Sequence, residues 1–408
     1  MTVSSQDIIA LADKHLLGNV SRVPLVLDHG DGLKVWDLEG RQYYDFLAGI
    51  ATCAFGHCPD FMTQVLYEQA QTLIHVSNVY YNKPLVLLAK LLTEASGLDK
   101  AFFCNSGAEA NEAAIKMARK HAFDKHGPGH HVIISALNSF HGRTMGAISA
   151  TGQTRFHTGF EPMLPEFRFV PFGDAEALEA AADSRVCAVL LEPIQGEGGV
   201  CPPPEGYLAR VSEICRQRGI LLILDEIQTG LGRTGYDFAF RAYGIKPDIL
   251  TLGKALGSGY PIGAMLAADE PAKALSPGTH STTVGGAPLA MAVSLVLTKK
   301  ILDPAFLAQV RETGDYFRAS LNKLKDKRPA DIAEVRGLGL ILGLVLKRPA
   351  GPVTKALQEL GFLVNAAGPE VLRFVPPLIV TAGEIDLLTE ALDKALDQAA
   401  SPPPAREV

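Results

Sequence analysis

Lys254 stands in Thr251-Leu-Gly-Lys-Ala-Leu-Gly-Ser-Gly259, among small residues directly after the apolar run Asp248–Leu252. Read alone, it is a solvated loop charge. Small neighbours, however, leave room for something bulky beside the amine, and a lysine held rigidly at a desolvated site has a lowered pKa and can form a Schiff base. Asp225, about thirty residues earlier, ends the run Leu221-Leu-Ile-Leu-Asp225, where its carboxylate can pair with a protonated ring nitrogen. Asn105-Ser106-Gly107-Ala108-Glu109 passes from an apolar run into a helical pattern. Gly107 and Ala108 keep side chains small where the first helical N–H groups lack acceptors, which suits a bound phosphate; Ser106 reads equally as an ordinary N-cap. A Schiff-base lysine, a phosphate site and an acid facing a ring nitrogen together make up the protein side of pyridoxal 5'-phosphate chemistry.

Other motifs fall away on context. Gly230-Leu-Gly-Arg-Thr-Gly235 matches G-x-G-x-x-G but opens no amphipathic helix and lacks an acid about twenty residues on, so dinucleotide binding is rejected. Leu221–Glu226 resembles the acidic strand of an ATPase, yet no G-x-x-x-x-G-K-[ST] loop exists to hold phosphates. Cys53, His57 and Cys58 lie within six residues, but no second ligand cluster answers them, and no metal is expected. Six scattered cysteines without a C-x-x-C pair read as reduced thiols, and the N-terminus carries no apolar signal core; both suit a cytoplasmic protein. The net charge of −6, with both signs interspersed, argues against nucleic acid or an anionic membrane as partner. The uncharged stretch 274–298 is too polar in its first half to span a bilayer.

The elements that must position these residues are short apolar runs alternating with helical patterns. Ala101–Cys104, His131–Ser135, Cys187–Leu191, Ile220–Leu224 and Asp248–Leu252 suit strands covered on both faces. Asn111–Phe123 and Tyr207–Arg218 carry apolar stripes at helical spacing. Such alternation predicts an α/β protein with a parallel sheet. Asn105–Gly107, Glu192, Asp225-Glu226 and Lys254 then fall just beyond the carboxyl ends of separate strands, where open α/β sheets bind ligands. The flanks differ. Val23–Leu27, Leu33–Asp37 and Tyr43–Phe46 read as strands, and the C-terminal part reads as helices 286–301 and 307–324, strands Gly339–Leu346 and Leu372–Ile379, and a helix near 382–399. Both chain ends together predict a smaller α+β domain: residues 1–50 and 286–400 around a large domain of residues 51–285, with a disordered tail at 401–408.

Six segments, in order along the chain, resemble the class-III pyridoxal-phosphate-dependent aminotransferases: Phe103-Cys-Asn-Ser-Gly-Ala-Glu-Ala-Asn-Glu112, Ser139-Phe-His-Gly-Arg-Thr144, Glu192-Pro-Ile-Gln-Gly-Glu-Gly-Gly199, Leu224–Gly235, Pro247–Gly257 and Gly278-Thr-His-Ser-Thr-Thr283. The resemblance implies a large, mainly parallel seven-stranded domain of the type I fold and a dimer whose active sites lie between subunits. It implies that Lys254 carries the cofactor and shuttles the proton, that Asp225 pairs with the pyridine nitrogen, that Gln228 lies near the phenolic oxygen and that Phe140 stacks on the ring. Ser106, Gly107 and Ala108 would bind the phosphate, joined by Thr283 from the other subunit. Arg143, with Thr282 nearby, would hold the α-carboxylate of an acylated diamino acid. Arg373 would pair with Glu197 while that donor is bound and be released to clamp glutamate or 2-oxoglutarate.

The implied activity is transfer of the δ-amino group of N2-acetylornithine to 2-oxoglutarate, as in arginine biosynthesis. A succinylated donor, an acylated lysine, free ornithine and 4-aminobutyrate stay open as alternatives, as does a silent cofactor-binding protein. Val20, where many relatives carry Tyr, loosens the assignment of the donor. Ala287, within Gly285-Gly-Ala-Pro288, and Cys58, within Gly56-His-Cys-Pro59, also depart from the family pattern, whereas Ile50 argues against free ornithine.

Overall fold

The computed structural model describes residues 3–400, so the expected tail at 401–408 lies outside the described residues. Three short strands open the chain: β1 (Leu27–Asp31), β2 (Lys34–Asp37) and β3 (Gln42–Asp45). The first begins later than the sequence predicts. Val23 to Val26 form no strand, because Pro24 lacks an N–H and Val23 stays exposed. Next come β4 (Lys100–Cys104), β5 (Val132–Ala136), β6 (Phe167–Val170), β7 (Val186–Leu191), β8 (Leu221–Asp225), β9 (Ile249–Leu252) and β10 (Gly263–Ala267). These build a seven-stranded sheet in the order β4-β10-β9-β8-β7-β5-β6.

Six of the seven strands run parallel, and β10 lies antiparallel between β4 and β9. Every residue of β5, β7, β8, β9 and β10 is buried, which is why most of them read as unbroken apolar runs. The two strands the sequence did not signal have physical reasons for their silence. β6 is an edge strand, half-buried and interrupted by Arg168, whereas β10 is made largely of small residues. The helices Gly107–His126 and Tyr207–Arg218 form as the apolar stripes predict, the first capped by Ser106, whose hydroxyl accepts the Glu109 N–H at 3.2 Å.

The C-terminal part contributes β11 (Ile332–Leu338), β12 (Ile341–Leu346), β13 (Phe362–Leu363), β14 (Asn365–Ala366) and β15 (Val371–Phe374). Of these, β13 joins the N-terminal strands by pairing in parallel with β3, and the rest form a sheet in the order β11-β12-β15-β14. The strand expected over Leu372–Ile379 stops at Phe374, since Pro376 and Pro377 have no N–H to continue the ladder. Among the described residues no helix is long and apolar enough to cross a membrane.

The Gly230–Gly235 segment, unsuited to a dinucleotide, joins the seven-stranded sheet to the C-terminal four-stranded sheet. Arg233 is fully buried; its Nη1 donates to Leu340 O at 3.0 Å and Pro376 O at 2.5 Å, and its carbonyl accepts the Leu340 N–H at 2.9 Å. Gly339, at φ +58°, lies against the Thr234 backbone, and on its other side Gly314 of the helix Pro304–Lys327 approaches so closely that a Cβ there would meet the Gly339 carbonyl carbon at 2.6 Å. Three stretches of backbone are thus stacked without side chains between them. Gly314→Ala is expected to force them apart and lower stability by roughly 1–3 kcal/mol, the usual range for overpacking. Urea denaturation measures it, and an unchanged midpoint would show that the helix moves aside freely.

Candidate active site

At the carboxyl ends of β4, β7, β8 and β9 the chain encloses a cavity of about 410 Å³. Ser106, Gly107, Ala108, Phe140, Arg143, Glu197, Asp225, Gln228 and Lys254, all predicted as site residues, line it.

The floor is Asp225, buried at the end of β8. Its Oδ1 accepts the Ile227 N–H at 3.0 Å, and its Oδ2 accepts Asn111 Nδ2 at 2.7 Å and faces His141 Nδ1 at 2.8 Å. A carboxylate has about four acceptor positions. Three donors leave one, on Oδ1, for a ring N–H.

Lys254 follows β9 through Gly253 and adopts φ +43°, a left-handed conformation that a lysine holds only where its surroundings impose it. Its side chain meets the cavity, yet surrounding protein strips away most water, and this desolvation lowers the amine to about 8 from 10.5. Glu197, Asp225 and Glu192 oppose the shift, and Arg373 reinforces it. The amine is therefore poised to shed its proton near neutral pH.

A candidate anion cradle stands at the start of the helix Gly107–His126. A Cβ on Gly107 would lie 2.7 Å from Ile227 Cδ1, and one on Gly142 would lie 2.7 Å from Ala108 Cβ. Only small residues let this helix end approach the cavity so closely, leaving the Gly107 and Ala108 N–H groups without intrahelical acceptors. The N-cap role of Ser106 and an anion site are compatible here, since the hydroxyl serves Glu109. These three features, a desolvated amine, a spare carboxylate acceptor and an open helix N-terminus, fit pyridoxal phosphate.

Two arginines differ sharply in setting. Arg143 is exposed, its guanidinium 4.1 Å from the Phe156 ring centroid and 5.5 Å from that of Phe140. Arg373, on β15, is wholly buried; Nη1 donates to Glu197 Oε1 and to Gln228 Oε1 (3.2 Å), Nε donates to Asn365 Oδ1 (3.2 Å), and Nη2 has no partner. Glu197 stands between Arg373 and the cavity. Burial pushes its carboxyl up, but the charge and hydrogen bond of Arg373 outweigh that, and Glu197 titrates below the usual glutamate range. Gln228, expected beside a phenolic oxygen, also bridges this pair, donating to Glu197 Oε1 at 3.3 Å.

Thr282 lies beyond the cavity wall, its Oγ1 accepting Asn105 Nδ2 at 3.1 Å, and neither it nor Thr283 lines the cavity within one chain. His57, weighed earlier with Cys53 and Cys58, turns Nε2 to Asp45 Oδ2 at 2.8 Å. Sequence reasoning passed over Asn111, His141 and Ile227 and gave Glu192 no role. Glu192 spans two loops, accepting the Phe140 N–H (2.9 Å) and the Gly196 N–H (3.0 Å), and burial raises its carboxyl to about 7. Asn111 was detectable in principle, as a polar residue on the stripe that Ala114, Ile115 and Ala118 continue.

Comparison with known proteins agrees with this geometry. Residues 17–396 match the model of the family described as aminotransferase class-III. The chain belongs to the class-III aminotransferases. It is 47% identical to an acetylornithine aminotransferase of Caldanaerobacter subterraneus over 96% of this chain and 99% of that protein. Among solved structures, an N-acetylornithine aminotransferase from Stenotrophomonas maltophilia matches with a TM-score of 0.82 at 40% identity, over 95% of this chain and 98% of that one. An ornithine aminotransferase from Toxoplasma gondii, with pyridoxal phosphate at partial occupancy in its active site, matches with a TM-score of 0.93 at 36% identity, over 97% and 94% of the two chains. This aminotransferase is accordingly pyridoxal-phosphate dependent.

The electrostatics of Lys254 predict a pH dependence. In the cofactor-free aminotransferase, the neutral and nucleophilic form of Lys254 should grow through a midpoint of about 8, whereas ordinary lysines remain protonated up to about 10.5. Attachment of a small aldehyde, trapped by borohydride and located by mass spectrometry across pH 6–11, measures this. A midpoint near that of the other lysines would contradict it.

Proposed function

We propose that this aminotransferase moves the δ-amino group of N2-acetyl-L-ornithine to 2-oxoglutarate, yielding N-acetylglutamate 5-semialdehyde and glutamate for arginine biosynthesis. Pyridoxal phosphate, when bound, stores the amino group between the two half-reactions and accepts the electron pair released at the carbon that loses a proton. Lys254 holds the cofactor and, through Nζ, removes and returns that proton. A base placed in this way contributes typically 10²–10⁴-fold. Asp225 keeps the ring nitrogen protonated, Phe140 covers the ring face, and Gln228 lies toward the phenolic oxygen. Ser106, Gly107 and Ala108 bind the phosphate, with Thr283 of a second copy completing the site in a homodimer.

The observation that carries the choice of substrates is the contrast between the two arginines. A donor whose reacting amine is terminal must keep its α-carboxylate away from the reacting end. Exposed Arg143 receives it at the cavity rim. Glutamate and 2-oxoglutarate instead present the α-carbon to Lys254 and need a cation deep inside. Arg373 is that cation, and its unpartnered Nη2 supplies a second donor for a bidentate clamp. Glu197 masks it while the first donor is present. We propose further that residues 1–50 and 286–400 act as a smaller domain against residues 51–285, in keeping with the pairing of β13 with β3. Free thiols at all six cysteines suit a cytoplasmic enzyme.

The test is a comparison of N2-acetylornithine, N2-succinylornithine, ornithine and 4-aminobutyrate with 2-oxoglutarate, repeated in Glu197→Ala. N2-acetylornithine is expected to show the highest kcat/KM. The variant should shift the ratio of the two half-reactions toward glutamate by roughly ten- to a hundredfold, the size of a charged hydrogen bond worth about 1.5–3 kcal/mol. A better rate with ornithine would overturn the assignment of the donor, and an unshifted ratio would leave Glu197 a structural residue.

A further inference from the structure

His141 is buried directly behind Asp225, and the hydrogens around it can be assigned one by one. On its inner side, Nδ1 lies 2.8 Å from Asp225 Oδ2, an ionised acceptor with no hydrogen to give. Nδ1 is therefore a donor. On its outer side, Nε2 lies 3.3 Å from Ser135 Oγ. A serine hydroxyl has one hydrogen, and Ser135 donates it to Ala150 O at 2.8 Å, a carbonyl that can only accept. Its remaining neighbour is Ser139 Oγ, 3.2 Å away, which accepts the Gly152 N–H at 2.9 Å; with the Ser135 hydrogen already committed, Ser139 is the donor in their contact. Ser135 thus meets the imidazole with a lone pair, and a bare Nε2 there would set two acceptors against each other. Nε2 must also carry hydrogen.

We propose that His141 is an imidazolium, the buried counter-ion of Asp225, and a positioning residue for transamination. The proposal rests on the reading of Asp225 as the acid that holds the ring nitrogen protonated. An isolated carboxylate in this interior would be driven toward its neutral form. The positive ring prevents that, and together with Asn111, whose Oδ1 accepts Thr251 Oγ1 at 2.8 Å, it occupies Oδ2 and leaves Oδ1 to face the cavity. The other buried acid near the ring is Glu192, whose carboxyl burial raises to about 7, an effect that the positive ring opposes and Asp225 adds to.

Selective ¹⁵N-histidine labelling, with His141→Asn identifying the signal by its loss, reads the ring directly in the cofactor-free protein at neutral pH. Hydrogen on both ring nitrogens of His141 is the expected result; a ring nitrogen without hydrogen overturns the proposal. The His141→Asn variant offers Asp225 a neutral donor in place of a charged one. It should still fold, at a lower unfolding midpoint because the buried Asp225 charge has lost its counter-ion, lose roughly tenfold or more in kcat, and keep KM for the amino donor within about threefold. A wild-type kcat would show that the charge is dispensable and overturn the positioning role, whichever way the ring is protonated. If Asp225→Asn itself turned over normally, the reading of Asp225 would fail instead, with the labelling result still standing by itself.

Discussion

A single guanidinium without access to water organises this molecule. Arg373 projects from the C-terminal sheet into the loops that follow β7 and β8 of the large sheet, where Glu197 and Gln228 meet it. Removing one member of a buried ion pair typically destabilises a protein by about 3–5 kcal/mol, because the other charge is left without a partner. The same pair that joins the sheets therefore cannot simply be absent when a substrate is bound. In the proposed mechanism one anion is exchanged for another. Glu197 lines the cavity and Arg373 does not, so in the proposed exchange the carboxylate nearer the cavity leaves and an incoming carboxylate takes its place.

The other charges of the site follow the same logic of mutual compensation in a dry interior. Lys254 loses its proton readily because desolvation outweighs three neighbouring carboxyl groups. Donors surround Asp225, and Glu192 is pushed toward neutrality because two backbone N–H groups offset only part of its burial. The strand ends bring these groups together. Apart from Ser135 on β5 and Thr251 on β9, the covered strands carry apolar side chains along their length, so the polar residues at the strand ends meet one another at the sheet edge.

Much of this was legible in the sequence, for identifiable reasons. Strands covered on both faces must be apolar, so β5, β7, β8 and β9 stood out, as did the apolar run of the edge strand β4, and so did the residues at their ends. What escaped was written in weaker signals. β10 is built of small residues that carry little β preference, and β6 is a half-buried edge strand. The proline-bearing runs at 23–27 and 372–379 have strand-like composition, but a strand needs N–H donors that proline lacks. His141 and Asn111 were invisible for a different reason. Each acts through Asp225, a hundred or so residues away in sequence, and hydrogen bonds across that separation leave no local pattern. Resemblance to the family indicated the pairing of Arg373 with Glu197, whereas composition alone would have placed both on the surface.

The most direct test of the exchange at Arg373 is a crystal structure of the cofactor-loaded enzyme with glutarate, a five-carbon dicarboxylate. If the pair exchanges, Glu197 will have swung off Arg373, with a glutarate carboxylate bound to that guanidinium through two parallel hydrogen bonds and Arg143 left free. An intact Glu197–Arg373 pair, with both glutarate carboxylates held at the cavity rim, would contradict it.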